Sequence, residues 1–298
     1  MADEPLESLH VVGVRYRGNS FVGPAQRAVN AYASANVFAA AGVPVTYAEP
    51  RAASVPQSLP VPRVYGDVCG AIADSVAKGR NAGSGVAMVD GNCGHAIGVL
   101  AGLQQAPGAG ARIGLVWLDA HGDFNTPKTT LSGSLGGMPV AVAAGLGLAE
   151  WREPAGMLSP LPTDRIVMAD LRNLDPAEAQ LLAATDAVVI GPDQPFGRAA
   201  YVDGVSALAA KVDMLYLHID ADILDAAYVP NHVTIEPNGP DMAAVQAAVD
   251  TVMATGKVVA FALVSVYFRG ESTTDIASGL TLLRSSLAAW RRPGVRTP

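Results

Sequence analysis

The chain of 298 residues contains two cysteines, Cys69 and Cys93. Two are too few for a disulfide framework, and the expected setting is cytoplasmic. Charge is also scarce: Asp, Glu, Lys and Arg make up 16% of the residues, the net charge is −7, and no basic run is present. That balance argues against a nucleic-acid partner. No apolar stretch reaches the length of a membrane span without polar or Gly/Pro interruption, so no membrane association is expected. The opening residues, MADEPLESLH, are acidic and polar, unlike a secretory signal. Internal repeats are missing as well. Pro50–Pro62 (PRAASVPQSLPVP) reads as an irregular loop and Ala106–Ala111 as a short connection. Neither divides the chain, so one domain spanning residues 1–298 is expected.

Apolar residues are abundant, at 50%. They recur as eight β-branched runs: Leu9–Tyr16, Val43–Ala48, Gly85–Val89, Ile113–Leu118, Arg165–Ala169, Ala187–Ile190, Met214–Ile219 and Val258–Val266. Ala-rich segments with helical spacing lie between most of them, at Pro24–Ala41, Asp67–Ala77, Met138–Leu146, Pro176–Ala184, Tyr201–Ala210, Pro240–Ala254 and Thr274–Trp290. Pro24, Pro176 and Pro240 sit near helix starts, where a missing N–H costs little. Gly42 and Gly256 sit where helices should stop. Strands alternating with helices predict βαβ units and a parallel sheet covered on both faces: an α/β fold.

Three of the runs end in ionisable groups. Gly114–Pro127, GLVWLDAHGDFNTP, ends in Asp119, His121 and Asp123. Met214–Asp225, MLYLHIDADILD, ends in Asp220, Asp222 and Asp225, and Gly85–His95, GVAMVDGNCGH, carries Cys93 and His95. In open α/β sheets ligands bind beyond the carboxyl ends of the strands, so these ends can meet at one edge. Paired carboxylates are costly to bury without a cation. Oxygen and imidazole donors suit Mn, Zn, Ni or Fe. A solvated acidic loop, or a cluster of helix caps, is the plainer alternative. Caps explain one Asp well and three poorly.

The segments DAHGDFNTP and HIDADILD resemble the two signature segments of the ureohydrolases, the family of arginase, agmatinase and formimidoylglutamase. Thr129–Pro139 (TTLSGSLGGMP) and Leu171–Glu178 (LRNLDPAE) extend the resemblance along nearly the whole chain. It implies a three-layer αβα sandwich around an eight-stranded parallel sheet. It also implies a two-metal site, usually manganese, that hydrolyses a C–N bond of a guanidino or amidino group. Asp119 and Asp220 would bridge two divalent ions, Asp123 would complete the first site, and His121 with Asp222 the second. Asp123 would also orient the attacking water and pass a proton to the leaving amine. Asn125, Thr130 and Ser132 match positions that hold a substrate α-carboxylate, and Asp175 one that engages its α-amino group. Ordinary turn chemistry also explains Asn, Thr and Ser in loops. A trimer or hexamer is expected by analogy alone.

Three departures bear on the substrate. Cys93 stands where the family has its remaining first-site His, as in the similar N-hydroxyarginine hydrolases. A neighbouring dication would favour its thiolate, while His95, two residues on, is the competing ligand. The direction of a strand-to-helix turn favours Cys93. Gly136 occupies the place of a proton-shuttling His. Ser265 occupies the place of a Glu that meets the guanidinium, and a neutral Ser cannot pair with that cation as a carboxylate does. Tyr267, Arg269 and Glu271 follow as candidate replacements. The reading is a hydrolase of a small amino-acid-like substrate such as N-hydroxyarginine. The alternatives are a related subunit without catalysis, a hydrolase of a non-guanidine C–N substrate, and, on the same fold, a single-zinc deacetylase.

Overall fold

The computed structural model describes residues 6–23, 28–53, 58–106, 110–157, 159–193, 196, 199–266 and 273–290. Each of the eight apolar runs forms a strand of one parallel sheet. In chain order the strands are β1 (Leu9–Val14), β2 (Tyr16–Arg17), β3 (Ser20–Phe21), β4 (Val45–Ala48), β5 (Gly85–Asp90), β6 (Ile113–Leu118), β7 (Ile166–Ala169), β8 (Val188–Ile190), β9 (Met214–Asp220) and β10 (Val258–Val264). The sheet order is β4-β1-β5-β10-β9-β6-β7-β8, and β2 and β3 pair apart from it as an antiparallel hairpin. The hairpin was not expected: the first run stops at Val14 rather than Tyr16, and the chain turns back at Gly18, where φ is +60°.

The helices are α1 (Val29–Ser34), α2 (Val61–Asn81), α3 (Ala96–Gln105), α4 (Pro139–Ala143), α5 (Ala149–Arg152), α6 (Pro176–Ala183), α7 (Ala199–Lys211), α8 (Met242–Met253) and α9 (Thr273–Trp290). The expected helix Pro24–Ala41 is divided. Asn36 has left-handed backbone (φ 49°) and separates α1 from a 3-10 turn, Val37–Ala41, that Gly42 ends at φ 65°. Pro24 lies outside the described residues. Pro176 opens α6, behind Asp175 at the N-cap. Helix α2 begins at Val61, inside the stretch expected to be loop. Helix α3 escaped the sequence reading because it is apolar on nearly every face and shows little periodicity. It lies directly against α2: a Cβ on Gly98 would meet the Cys69 carbonyl oxygen at 2.6 Å, so only glycine permits this approach.

Strand residues alternate between two apolar layers. Leu115 and Trp117 of β6 and Tyr216 of β9 join one layer with α2, α3 and α4. Val116, Leu118, Leu217 and Ile219 join the other with α7, α8 and α9. Burial on both faces is what turns these strands into continuous apolar runs. Each large side chain so buried contributes about 1.5–3 kcal/mol. The chain passes from β5 to β6 across a gap that β9 and β10 later fill. The carboxyl ends of β5, β10, β9 and β6 therefore stand side by side at the centre of the sheet.

Candidate metal centre

The ionisable groups gather at that edge. Asp119 follows β6 directly, Asp220 ends β9, and Cys93 opens a short 3-10 turn after β5. The backbone bends sharply around them. Asp90, Asp123, Asp170 and Ser265 all have left-handed backbone, with φ between 46° and 68°. Asp tolerates this region better than most residues, and non-glycine residues held there cluster at functional sites.

Cys93 lies against the carboxylates. Its Sγ is 2.7 Å from Asp220 Oδ2 and 3.5 Å from Asp119 Oδ2. His95 faces elsewhere: its Nδ1 accepts from the Asn92 N–H and its Nε2 donates to the Gly18 carbonyl, both at 3.0 Å. Behind Cys93, His218 Nε2 approaches Sγ at 3.4 Å while its Nδ1 meets the Tyr216 hydroxyl at 2.8 Å. The His218 ring stacks on Trp117 with centroids 3.7 Å apart, and burial holds its pKa down at about 3, so the imidazole is neutral.

On the other side, His121 Nδ1 stands 3.3 Å from Asp119 Oδ1 and 3.2 Å from Asp222 Oδ2. Its Nε2 reaches Glu236 Oε1 at 3.1 Å, and Asn173 donates to the same oxygen. A carboxylate behind an imidazole in this way fixes its tautomer and its direction. His232 completes the group, with Nε2 3.4 Å from Asp220 Oδ1 and Nδ1 3.7 Å from Asp222 Oδ2.

Among the described residues three donor sets result: Cys93, Asp119 and Asp220; Asp119, His121 and Asp222; and Asp220, Asp222 and His232. Within each set the donor atoms lie within 4.8 Å of one another. Asp119, Asp220 and Asp222 each belong to two sets. Asp123 stands outside these triads but lines the same cavity, buried beside them. The charges are strongly coupled. Burial, and then the neighbouring carboxylates, push Asp119 and Asp123 well above the usual carboxylate range. Burial and the charges of Asp220 and Asp119 likewise push the Cys93 thiol up. Burial alone would raise Asp222, but its hydrogen bond to His121 and the charge of His232 hold it below its usual value. Burial would lower His232, but its contact with Asp220 and the charges of Asp220 and Asp222 raise it to about 9. A divalent cation is the group whose charge this arrangement matches, and the carboxylate, imidazole and thiolate donors fit one.

The loop after β6 is held from below. Glu178 of α6 accepts from the Phe124 N–H at 2.8 Å and the Asp175 N–H at 3.1 Å. Gly122 leaves room for it, since a Cβ there would meet Leu174 at 2.7 Å and Glu178 at 2.8 Å. Asn125 donates to Asp175 Oδ2 at 3.2 Å, which brings two expected substrate-binding residues together. They line a cavity of about 680 Å3 with Ser132, Gly136, Ser265 and the metal-type donors. Thr130 is not on that wall; its Oγ1 accepts from the Gly133 N–H and meets Ser132 Oγ. Asp225 lies apart, accepting from the Ala227 N–H. Tyr267, Arg269 and Glu271 lie outside the described residues.

Residues 14–284 match the sequence model of the arginase family. The chain belongs to the arginase family. It is 29% identical over 239 residues to the arginase of Neurospora crassa, covering 76% of this chain and 67% of that one. It is 32% identical over 153 residues to the arginase of Brucella melitensis, covering 48% of each. The chain thus spans about half to two thirds of the length of these curated relatives. Among solved structures, the arginase of Bacillus cereus superposes with a TM-score of 0.82 at 22% identity, over 95% of this chain and 98% of that one. The Entamoeba histolytica arginase, solved with L-ornithine, gives 0.80 at 21% identity, over 95% and 99% of the two chains. The Bacillus subtilis formimidoylglutamase gives 0.70 at 12% identity, over 97% and 89%. These likenesses establish the eight-stranded αβα fold. Among the described residues no helix is long and apolar enough to cross a membrane.

Sequence reasoning missed His218, His232, Thr234 and Glu236. His218 had a usable signal, because it shares a strand face with Asp220 by simple alternation. His232 and Glu236 come from the irregular segment between β9 and α8, where no periodicity points. The scarcity of histidine was the available clue: the chain has only five.

Proposed function

We propose that this chain is a binuclear metal-dependent hydrolase that cleaves a C–N bond in the guanidino or amidino group of a small amino-acid-like substrate. An N-hydroxylated arginine is the substrate that suits its site best. The observation that carries the reading is that buried carboxylates, Asp119 and Asp220 among them, are shared between donor sets, as bridging ligands are. Cys93, Asp119, Asp123 and Asp220 would hold a first ion, and Asp119, His121, Asp220 and Asp222 a second, with Mn2+ the expected metal. Bound ions supply Lewis acidity, which makes water nucleophilic at neutral pH and steadies the charge of tetrahedral addition.

The remaining steps belong to the protein. Asp123, buried at the cavity wall, orients the attacking water, takes its proton and returns it to the leaving amine. Asn125 and Ser132 receive the substrate carboxylate and Asp175 its ammonium group. The bound L-ornithine of the Entamoeba relative supports an amino-acid head group of this kind. In the cavity lining Ser265 and Gly136 offer no charge. A fully cationic guanidinium would meet no carboxylate at these two positions, and burying an unpaired cation is costly. An N-hydroxyguanidine is much less basic, so its neutral form costs far less to reach than that of a guanidine, and this favours a modified arginine over arginine. The acting form is expected to be a homo-oligomer, by family analogy.

A substrate panel tests the proposal. Urea or hydroxyurea release from the Mn2+-loaded protein is expected to be faster with N-hydroxyarginine than with arginine, agmatine or guanidinobutyrate. No product from any of the four would overturn the urea-forming reading.

A further inference from the structure

His232 lies in the loop between β9 and α8, and its side chain is almost wholly buried between Asp220 and Asp222. Its Nδ1 is 2.7 Å from the Thr234 carbonyl oxygen. The Thr234 hydroxyl and N–H also stand 3.0 and 3.2 Å from Nδ1, but the carbonyl oxygen is the nearest and can only accept, so Nδ1 carries the proton and donates to it. Nε2 is then the coordinating atom, and it faces Asp220 Oδ1 at 3.4 Å. Thr234 anchors both partners, because its hydroxyl also donates to Asp222 Oδ2 at 2.9 Å. A backbone carbonyl that fixes one ring nitrogen while the other faces carboxylates is the usual arrangement behind a metal-ligating histidine.

We infer that His232 is a ligand of the second ion, giving that ion two imidazoles, His121 and His232, and leaving the first with sulfur and oxygen donors only. The inference rests on the binuclear reading above. His232 shares Asp222, which the first ion does not use, with His121, and this places it on the second ion's side of the cluster. Any proton held between Nε2 and Asp220 leaves to solvent when the cation binds. The arrangement replaces the family pattern of one imidazole per ion, for Cys93 takes the first ion's nitrogen position and His232 adds one to the second.

Electron spin-echo measurements on the Mn2+-loaded chain test this directly, because directly bound imidazole nitrogens couple to the metal spin and can be counted with 15N-labelled histidine. Two such nitrogens are expected in the unaltered protein, and one in each of H121A and H232A. In H232A the weaker-bound of two ions should dissociate on the order of 10- to 100-fold more readily. Two bound ions with a single imidazole coupling, unchanged by H232A, would overturn the role of His232 and leave the binuclear reading standing. No bound ion in the unaltered protein would overturn both. A count of one in the unaltered protein overturns the role of His232 even where a variant fails to fold.

Discussion

Cys93 meets Asp119 and Asp220 from a turn that follows β5 at once, and all three side chains are buried at strand ends. His121 and His232 meet Asp222 from loops, with His121 still about a quarter exposed and steadied by Glu236 from a second irregular segment. The first half of the centre is thus set by the sheet and backed by stacked rings, Trp117 on His218. The second is set by loop-to-loop hydrogen bonds, including Arg172, which ties the Asp222 and Glu236 carbonyl oxygens together. A donor fixed by a strand is insensitive to its neighbours in the loops, whereas a donor fixed by a loop depends on every contact that shapes it.

Substitutions should separate the halves. The largest effect is expected where they join: D119N removes a carboxylate common to both, so both ions should be lost, with turnover falling by about 10^3-fold or more. Metal content and urea release together measure it. Next, C93S should weaken the first ion alone, and the sulfur-to-metal charge-transfer band of the Co2+-loaded protein should vanish while the second ion stays bound. The smallest effect is expected for E236Q, which keeps the shape but weakens the support of His121. Mn2+ titration should show the second ion bound roughly 10-fold more weakly and the first unchanged.

The comparison extends to pH. Asp119 and Asp123 have folded-state pKa values raised above their ordinary value, and so do His121 and His232. Raised groups contribute stability below the unfolded pKa, and it is lost as pH rises through the folded pKa, which for His232 is about 9. Asp222, with a lowered pKa, works the other way, but only below the usual carboxylate range. Metal-free protein is therefore expected to melt at a higher temperature at pH 6 than at pH 9. The Mn2+-loaded protein should show the difference reduced, because a cation then balances the carboxylates. Melting curves at the two pH values, with and without chelator, check this.

The same contrast decides what was legible in the sequence. Eight strands could be read because burial on both faces writes them as apolar runs, and Asp119, Asp220 and Cys93 could be read because they stand at the ends of three of those runs. Helix α3 was lost because an all-apolar helix carries no periodic signal. His232 and Glu236 were lost because nothing local specifies a loop that folds onto a distant carboxylate. Thr130 was placed on the substrate wall by motif, yet its hydroxyl closes the turn before Gly133.

Anomalous diffraction from Mn2+-loaded crystals tests the central claim most directly. The account predicts two peaks, one flanked by Cys93, Asp119, Asp123 and Asp220, the other by His121, Asp222 and His232, with Asp119 and Asp220 between them. A single peak, or none at this edge of the sheet, would contradict it.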